Sequence, residues 1–270
     1  MGSGESGASH GGREKGGEET ADFGYRTVRK RDKAALVQAV FDTVARRYDL
    51  MNDLMSMGVH RLWKHALIDM LAPRPGTVLV DVAGGTGDVA FRFLERCRAQ
   101  PVHKAPLARA VVCDPNQAMM SVGRDRAIDQ GLAGAVDWVC GAAERLPFAD
   151  RRFDAYTIAF GLRNVTDIDA ALKEARRVLK PGGRFLCLEF SHVDVPLLAP
   201  IYDRYSFDIV PKLGEIVTGR GDAYRYLVES IRRFPDQEGL AGRMRRAGFS
   251  RVRYVNLTGG IAAIHSAWRI

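Results

Sequence analysis

Three short stretches of the 270-residue chain hold residue types that can do chemistry together. "VLVDVAGGTGDVAF" sets Asp81, Ala83, Gly85 and Gly87 at alternate positions between an apolar run and a helical one. Glycine at such a junction lets the backbone turn sharply and approach a ligand, with the helix amides directed at it. Read from Gly85, the stretch also satisfies G-x-G-x-x-A, the fingerprint of dinucleotide sites. The next apolar run ends in "VVCDPN", which puts Asp114 at its carboxyl end, where a carboxylate accepts both hydroxyls of a ribose. Further on, "IAFGLRNVTD" closes a third apolar run on Arg163 and Asn164. A cation that keeps its charge and an oriented amide then stand where a buried strand meets solvent, either capping the strand end or facing a substrate.

These residues need a scaffold that brings strand ends together. "TVLVDV", "ARAVVCD", "AVDWVC", "FDAYTIAF" and "RFLCLEF" are short continuous apolar runs of the kind buried on both faces. Between them lie helical stretches, "DVAFRFLERCR", "NQAMMSVGRDRAIDQ" and "DIDAALKEARRVLK", the last stopped by "LKPGG". Strands alternating with helices predict an α/β fold with a doubly wound, mostly parallel sheet. "RVRYVNLTGGIAAIHSAWRI" instead predicts two antiparallel strands joined near Gly259 and Gly260. Before the first run, the stripe from Leu36 to Val44 predicts one helix and Asn52 to Leu71 a second, a helical lid over about residues 33–72. Residues 1–22, rich in Gly, Ser and Glu, read as a disordered tail, leaving 23–270 as one domain.

Composition narrows the possibilities. No apolar stretch approaches the roughly 20 residues a membrane-spanning helix needs, and the N-terminus lacks an apolar core of the signal-peptide type, so a cytoplasmic location is expected. Four dispersed cysteines, with no C-x-x-C pair, predict reduced thiols rather than disulfides or a zinc site. The net charge of +8 is concentrated late: nine arginines against four acids lie between Arg220 and Arg253. That excess marks either a solvated helix face or a patch that meets an anionic surface.

Ala142 and Ala143 follow the third apolar run directly, where a flat adenine can lie beside small residues and backbone. "LPFADRRFD", the strand after it and "LKPGGRFLCLEF" resemble the class I S-adenosylmethionine-dependent methyltransferases. That resemblance implies a Rossmann-like three-layer sandwich with seven strands, the last pair forming an antiparallel hairpin, and a methyl donor rather than a hydride donor. "RYDLMNDLMSMGVHRLWK", "DVAGGTGD", "FGLRNVTD", "YRYLVESI", "PDQEGL" and "NLTGGIAAIH" are similar, more narrowly, to the ubiquinone/menaquinone biosynthesis C-methyltransferases, from about Phe41 onward.

The narrower resemblance implies methylation of a ring carbon of a polyprenylated benzoquinol, a demethylmenaquinol, or both. An aromatic carbon is a poor nucleophile until a neighbouring hydroxyl ionises, and such a hydroxyl titrates near about 10. The reaction therefore asks for stabilisation of a phenolate and calls for no metal. Arg163 supplies a charge that desolvation does not strip, and Asn164 an oriented partner. By the same resemblance Tyr48 meets the substrate, Thr86 holds the donor's amino-acid part and Asp114 its ribose. Asp81, Gly85 and Gly87 complete the donor loop. Where relatives often have Asn-Ala this chain has Ala142-Ala143, and where a Ser precedes "FGLRN" it has Ala159; both changes remove side-chain hydrogen bonds. His60, His265, Glu189 and a water near Arg163 are rival general bases. The expected partners are the quinol, anionic membrane at the arginine-rich stretch, and a second copy or other quinone-synthesis enzymes; nucleic acid is not expected. Rival functions are methylation of another small molecule or of RNA, a catalytically silent scaffold, and a dehydrogenase.

Overall fold

Leu79 and Val80 are adjacent and fully buried, yet they belong to separate apolar clusters, because successive side chains of a strand point to opposite faces. A sheet buried on both sides must be covered by helices on both. The computed structural model describes residues 19–44, 48–100, 107–196, 200, 202, 204–209, 211–212, 215 and 221–270. It begins with a hairpin, β1 (Thr20–Phe23) and β2 (Arg26–Arg29), followed by α1 (Lys30–Val44), α2 (Tyr48–Ser56) and α3 (His60–Leu71). Strands and helices then alternate: β3 (Val78–Val82), α4 (Asp88–Arg98), β4 (Arg109–Asp114), α5 (Gln117–Asp129), β5 (Val136–Cys140), β6 (Phe153–Ala159), α6 (Ile168–Val178) and β7 (Leu179–Phe190). The chain ends with α7 (Gly221–Arg233), α8 (Gln237–Arg246), β8 (Ser250–Leu257) and β9 (Ala262–Trp268).

The main sheet has seven strands in the order β5-β4-β3-β6-β7-β9-β8. β3 to β7 pair in parallel, while β9 pairs antiparallel with both β7 and β8. The winding reverses at β3, which has β4 on one side and β6 on the other, and open sheets bind ligands at the carboxyl ends beside such a reversal. Asp81, Asp114 and the segment from Phe160 to Asn164 all lie at those ends.

Three expectations need correction. The tail was expected to run to residue 22, but β1 starts at Thr20: it pairs with β2, and Phe23 stacks on Tyr226 at 4.2 Å, which gives the segment apolar surface to bury. Residues 1–18 lie outside the described residues. The single helix from Asn52 to Leu71 is two helices, because Met57 and Gly58 adopt left-handed backbone (φ 51° and 78°) and turn the chain between them. "LKPGG" does end α6, but it also begins β7, with an irregular register against Phe153 and Ala155. The cysteines are all free, and Cys97, Cys113 and Cys187 are buried; burial pushes the Cys97 and Cys113 thiols up to about 11 and about 12, which keeps them inert.

Trp138 on β5 packs where both Gly87 and Gly123 lack a side chain. A Cβ on Gly123 would lie 2.3 Å from the Trp138 ring and 2.9 Å from the backbone oxygen of Thr86 in the glycine loop. Gly123→Ala should favour the isolated helix by about 1 kcal/mol. In the protein, however, ring and carbonyl cannot both yield, and overpacking of this kind costs about 1–3 kcal/mol. A urea midpoint below that of the unaltered protein, with weakened binding at the neighbouring loop, is the expected result.

Candidate active site

The loop after β3 doubles back through left-handed backbone at Ala83 (φ 50°), Gly85 (φ 54°) and Gly87 (φ 79°), and Gly87 then caps α4. The Gly85 N–H donates to Asp114 Oδ2 (2.8 Å), and the Asn116 N–H donates to Asp114 Oδ1 (2.8 Å). The carboxylate at the end of β4 is thereby fixed from both sides, with lone pairs left for a ligand. Asn116 accepts from the Met119 N–H (2.9 Å) as the cap of α5, and its Nδ2 donates to Asp42 of α1 (2.7 Å). Helix α1 lies across the cleft and contributes Val37, Gln38 and Phe41 to the lining of a cavity shared with Gly85 and Asp114. Its near end is tied to the opposite rim, where Lys33 Nζ donates to the Val165 carbonyl (3.0 Å) and Lys30 to Asp167 (3.2 Å).

Acids at this end of the sheet feel their burial. Burial pushes Asp81 up to about 7, against the pull of Thr157, whose hydroxyl donates to Oδ1 (2.7 Å), and of nearby Lys64. Asp81 Oδ2 has no partner among the described residues. Burial likewise pushes Asp114 up to about 6. At Asp88, burial is outweighed by Lys64 (2.7 Å) and Arg92 (2.9 Å), which hold its carboxyl below the ordinary range.

The segment after β6 makes a single 3₁₀ turn, Leu162–Asn164. It passes so close to the donor loop that a Cβ on Gly161 would lie 2.5 Å from the Ala83 methyl. Arg163 points inward. Its side chain is 0% exposed, and Nη1 donates to Glu189 Oε1 (2.7 Å) and to the Phe160 carbonyl (2.6 Å). The guanidinium carbon lies 5.5 Å above the Phe190 ring. Nε and Nη2 have no partner among the described residues. Burial pushes Glu189 up, and Arg163, with the N–H groups of Phe190 and of Arg163 itself, draws it back.

The cavity brings together Gly85, Asp114, Ala142, Ala143 and Asn164 from the expected set. It does not bring in the others directly. Asp81 sits behind the loop under Gly84, Thr86 turns its hydroxyl toward Arg126 (3.4 Å), and Gly87 is used for the turn and for Trp138. Ala159 packs into the core below. Arg163 was expected as an open cation facing the quinol; it is ion-paired instead, because a desolvated guanidinium needs a counter-charge. With the side chain 0% exposed, it is the Arg163 backbone that borders a second cleft, lined also by Lys33 and Tyr226. Tyr48 opens α2, and its side chain lies outside the described residues. Among the rival bases, His60 is held by Asp53 (2.9 Å) and His265 by the Gln237 carbonyl (2.8 Å). Sequence reasoning missed Lys64, Thr157 and Tyr226, and the pairing of Glu189. A lone acid ending the apolar run "RFLCLEF" was the available signal for that pair, since a buried acid demands a cation.

The residues fit S-adenosylmethionine. Asp114 can take ribose hydroxyls, Ala142 and Ala143 leave a flat base room, and the unpartnered Asp81 oxygen lies under a loop where a Cβ on Gly85 would already touch Met119 at 2.9 Å. In shape the chain is similar to a possible histamine N-methyltransferase from Thermotoga maritima (TM-score 0.57, 20% identity, covering 86% of this chain and all of that one). It also resembles a chain of the Haloferax volcanii complex of the Trm112 activator with a putative methyltransferase (TM-score 0.60, 15% identity, 86% and 97%). Fold and site together define a class I S-adenosylmethionine-dependent methyltransferase. The model of the ubiE/COQ5 methyltransferase family matches residues 26–269, and the chain belongs to that family. Over 248 residues it is 58% identical to "Ubiquinone/menaquinone biosynthesis C-methyltransferase UbiE" of Paracoccus denitrificans, covering 92% of this chain and 96% of that one. It is 53% identical to the mitochondrial "2-methoxy-6-polyprenyl-1,4-benzoquinol methylase" of Danio rerio, covering 92% and 84%.

Two outcomes follow from these charges. If Asp81 and Asp114 hold the donor, which is cationic at its sulfonium and amine, it binds best when both are ionised. Its affinity, measured by calorimetry, should rise as pH increases through about 6 to 7 and level off above; Asp81→Asn should flatten the upper part of that rise. Glu189→Ala leaves a buried guanidinium without its counter-charge and should lower unfolding free energy in urea by about 3–5 kcal/mol.

Proposed function

We propose that the protein methylates a ring carbon of a polyprenylated quinol in quinone biosynthesis. The observation that carries this reading is that Arg163, two of whose guanidinium nitrogens have no partner among the described residues, stands next in sequence to an asparagine that lines the cofactor cavity. Buried donors without acceptors are costly, and an oxyanion arriving beside them turns that cost into stabilisation. The bound donor supplies an electrophilic methyl group. The chain's part is to hold the quinol ring in line with it and to keep the neighbouring hydroxyl ionised. Ring electron density then forms the new carbon–carbon bond as the carbon–sulfur bond breaks, and the ring proton leaves afterwards to solvent or a base. Glu189 is poorly suited to be that base, since its oxygens already serve Arg163 and two backbone N–H groups.

A polyprenyl tail resides in a membrane, so we also propose peripheral docking there. No helix among the described residues is long and apolar enough to cross a bilayer. Leu50, Met57 and Leu62 are exposed on the helical cap, as are Phe207 and Ile209 on a π-helical turn that Tyr205 ties to the Leu54 carbonyl (2.5 Å). Apolar side chains of this kind suit the headgroup boundary. Within the arginine-rich stretch, Arg243 is paired with Asp169 and Arg245 with Glu238, while Arg251 and Arg253 are exposed and could add about 1 kcal/mol each near anionic lipid. A second copy or another quinone-synthesis enzyme would meet the open edge of β8, where Tyr254 and Val255 are exposed.

With labelled donor and reduced quinol, purified protein should place the label on a ring carbon, located by mass spectrometry and NMR. The oxidised quinone, which has no hydroxyl to ionise, should give little product. Arg163→Ala should lower kcat at least 100-fold, the order seen when an oxyanion donor is removed; undiminished turnover would end the assignment. Replacing Met57 and Leu62 by glutamate should reduce co-sedimentation with anionic vesicles while leaving donor affinity unchanged.

A further inference from the structure

Tyr226 takes no part in the reading above, yet it touches its centre. Its hydroxyl lies 3.0 Å from Asn164 Oδ1, and the residue is buried on the α7 side of the turn, away from the cofactor cavity that Asn164 lines. The ring is held from behind, stacked on Phe23 of the N-terminal hairpin at 4.2 Å with the planes 20° apart. The same hairpin is anchored to α7 by the Tyr25 N–H, which donates to Glu229 (3.0 Å).

A side-chain amide has a donor end and an acceptor end, and the site works only if the right one faces the substrate. The Phe160 carbonyl can only accept, so it selects Nδ2, but at 3.5 Å and shared with Arg163 it holds the amide weakly. A phenol that donates to Oδ1 completes the choice. One Nδ2 hydrogen then goes to Phe160, and the other is left for an oxygen in the cavity.

We infer that Tyr226 is a positioning residue, whose hydroxyl fixes the Asn164 amide so that its N–H, and not its carbonyl, meets the ionising quinol oxygen. This rests on the proposed role of Asn164 toward the acceptor. The consequence is one oriented donor, Asn164 Nδ2, turned toward the cavity beside the buried guanidinium of Arg163 next in sequence. A donor so placed favours the phenolate over the neutral phenol. Burial raises the Tyr226 hydroxyl well above its ordinary value, so it stays protonated and able to donate throughout the working pH range.

Tyr226→Phe keeps the ring and its stack on Phe23 and removes one hydroxyl. In steady-state assays with reduced quinol, kcat should fall about tenfold, while donor affinity by titration and the urea midpoint stay close to those of the unaltered protein. In the Asn164→Ala background, adding Tyr226→Phe should cause no further loss, because the group it orients is gone. Normal turnover in Asn164→Ala would overturn the underlying role of Asn164. A loss in Asn164→Ala with normal turnover in Tyr226→Phe would leave that role standing and overturn the inference about Tyr226. A second, multiplicative loss in the double variant would also overturn it, since Tyr226 would then act independently of Asn164.

Discussion

A guanidinium taken out of water has to meet a carboxylate taken out of water, and much of this molecule is arranged around that requirement. Arg163 and Glu189 lie at the ends of neighbouring parallel strands, with Ala159 opposite Leu188 and the Phe160 N–H donating to the Leu188 carbonyl (2.8 Å). Only adjacency of β6 and β7 in the sheet brings the two charges within 2.7 Å. Each would otherwise carry a desolvation penalty of several kcal/mol. Phe190 lies beneath the pair, Phe160 packs on Phe190, and Trp63 of α3 packs against both rings, so the charge is walled by aromatics from the sheet and the cap together.

Seen as electrostatics, the site is incomplete in two complementary ways. On the donor side, two buried carboxylates are held above their ordinary range and gain from an arriving positive charge. Around Arg163, two buried guanidinium nitrogens have no acceptor among the described residues and would gain from a negative charge brought beside them. On the function proposed above, a sulfonium and a phenolate would supply these charges, and transfer of the methyl group would cancel both. The low-dielectric walls that make the unliganded charges costly are the walls that make their neutralisation effective.

The sheet was legible because its signals are local. Continuous apolar runs gave the strands, 3.6-residue stripes gave α4, α5 and α6, and Gly259-Gly260 gave the terminal hairpin. The break at Met57 and Gly58 was half legible: the glycine is a breaker signal, but a methionine in left-handed backbone leaves no mark in composition. Nor was β1, whose apolar partner Tyr226 lies some 200 residues away in sequence. Of the expected residues, those at strand ends such as Asp114 and Asn164 line the cavity, while residues reaching in from elsewhere were missed. Asp114 and Asn164 follow from topology; Lys64, Thr157 and Tyr226 depend on which helix or strand packs where. Arg163 was found for its charge, but its orientation depended on Glu189, whose significance becomes plain only when β7 is set beside β6.

Where Gly161 passes Ala83, the two strand ends touch with no space for even one added methyl group. The floor under the reacting groups is therefore closed to variation: a bulkier residue on either side would force β3 and β6 apart and carry Asp81 and Arg163 with them. In this chain, room for a wider or narrower ring can therefore come only from above, from the helical cap and α7, so the cap is the part in which acceptor preference can be re-cut while the contact beneath it stays fixed.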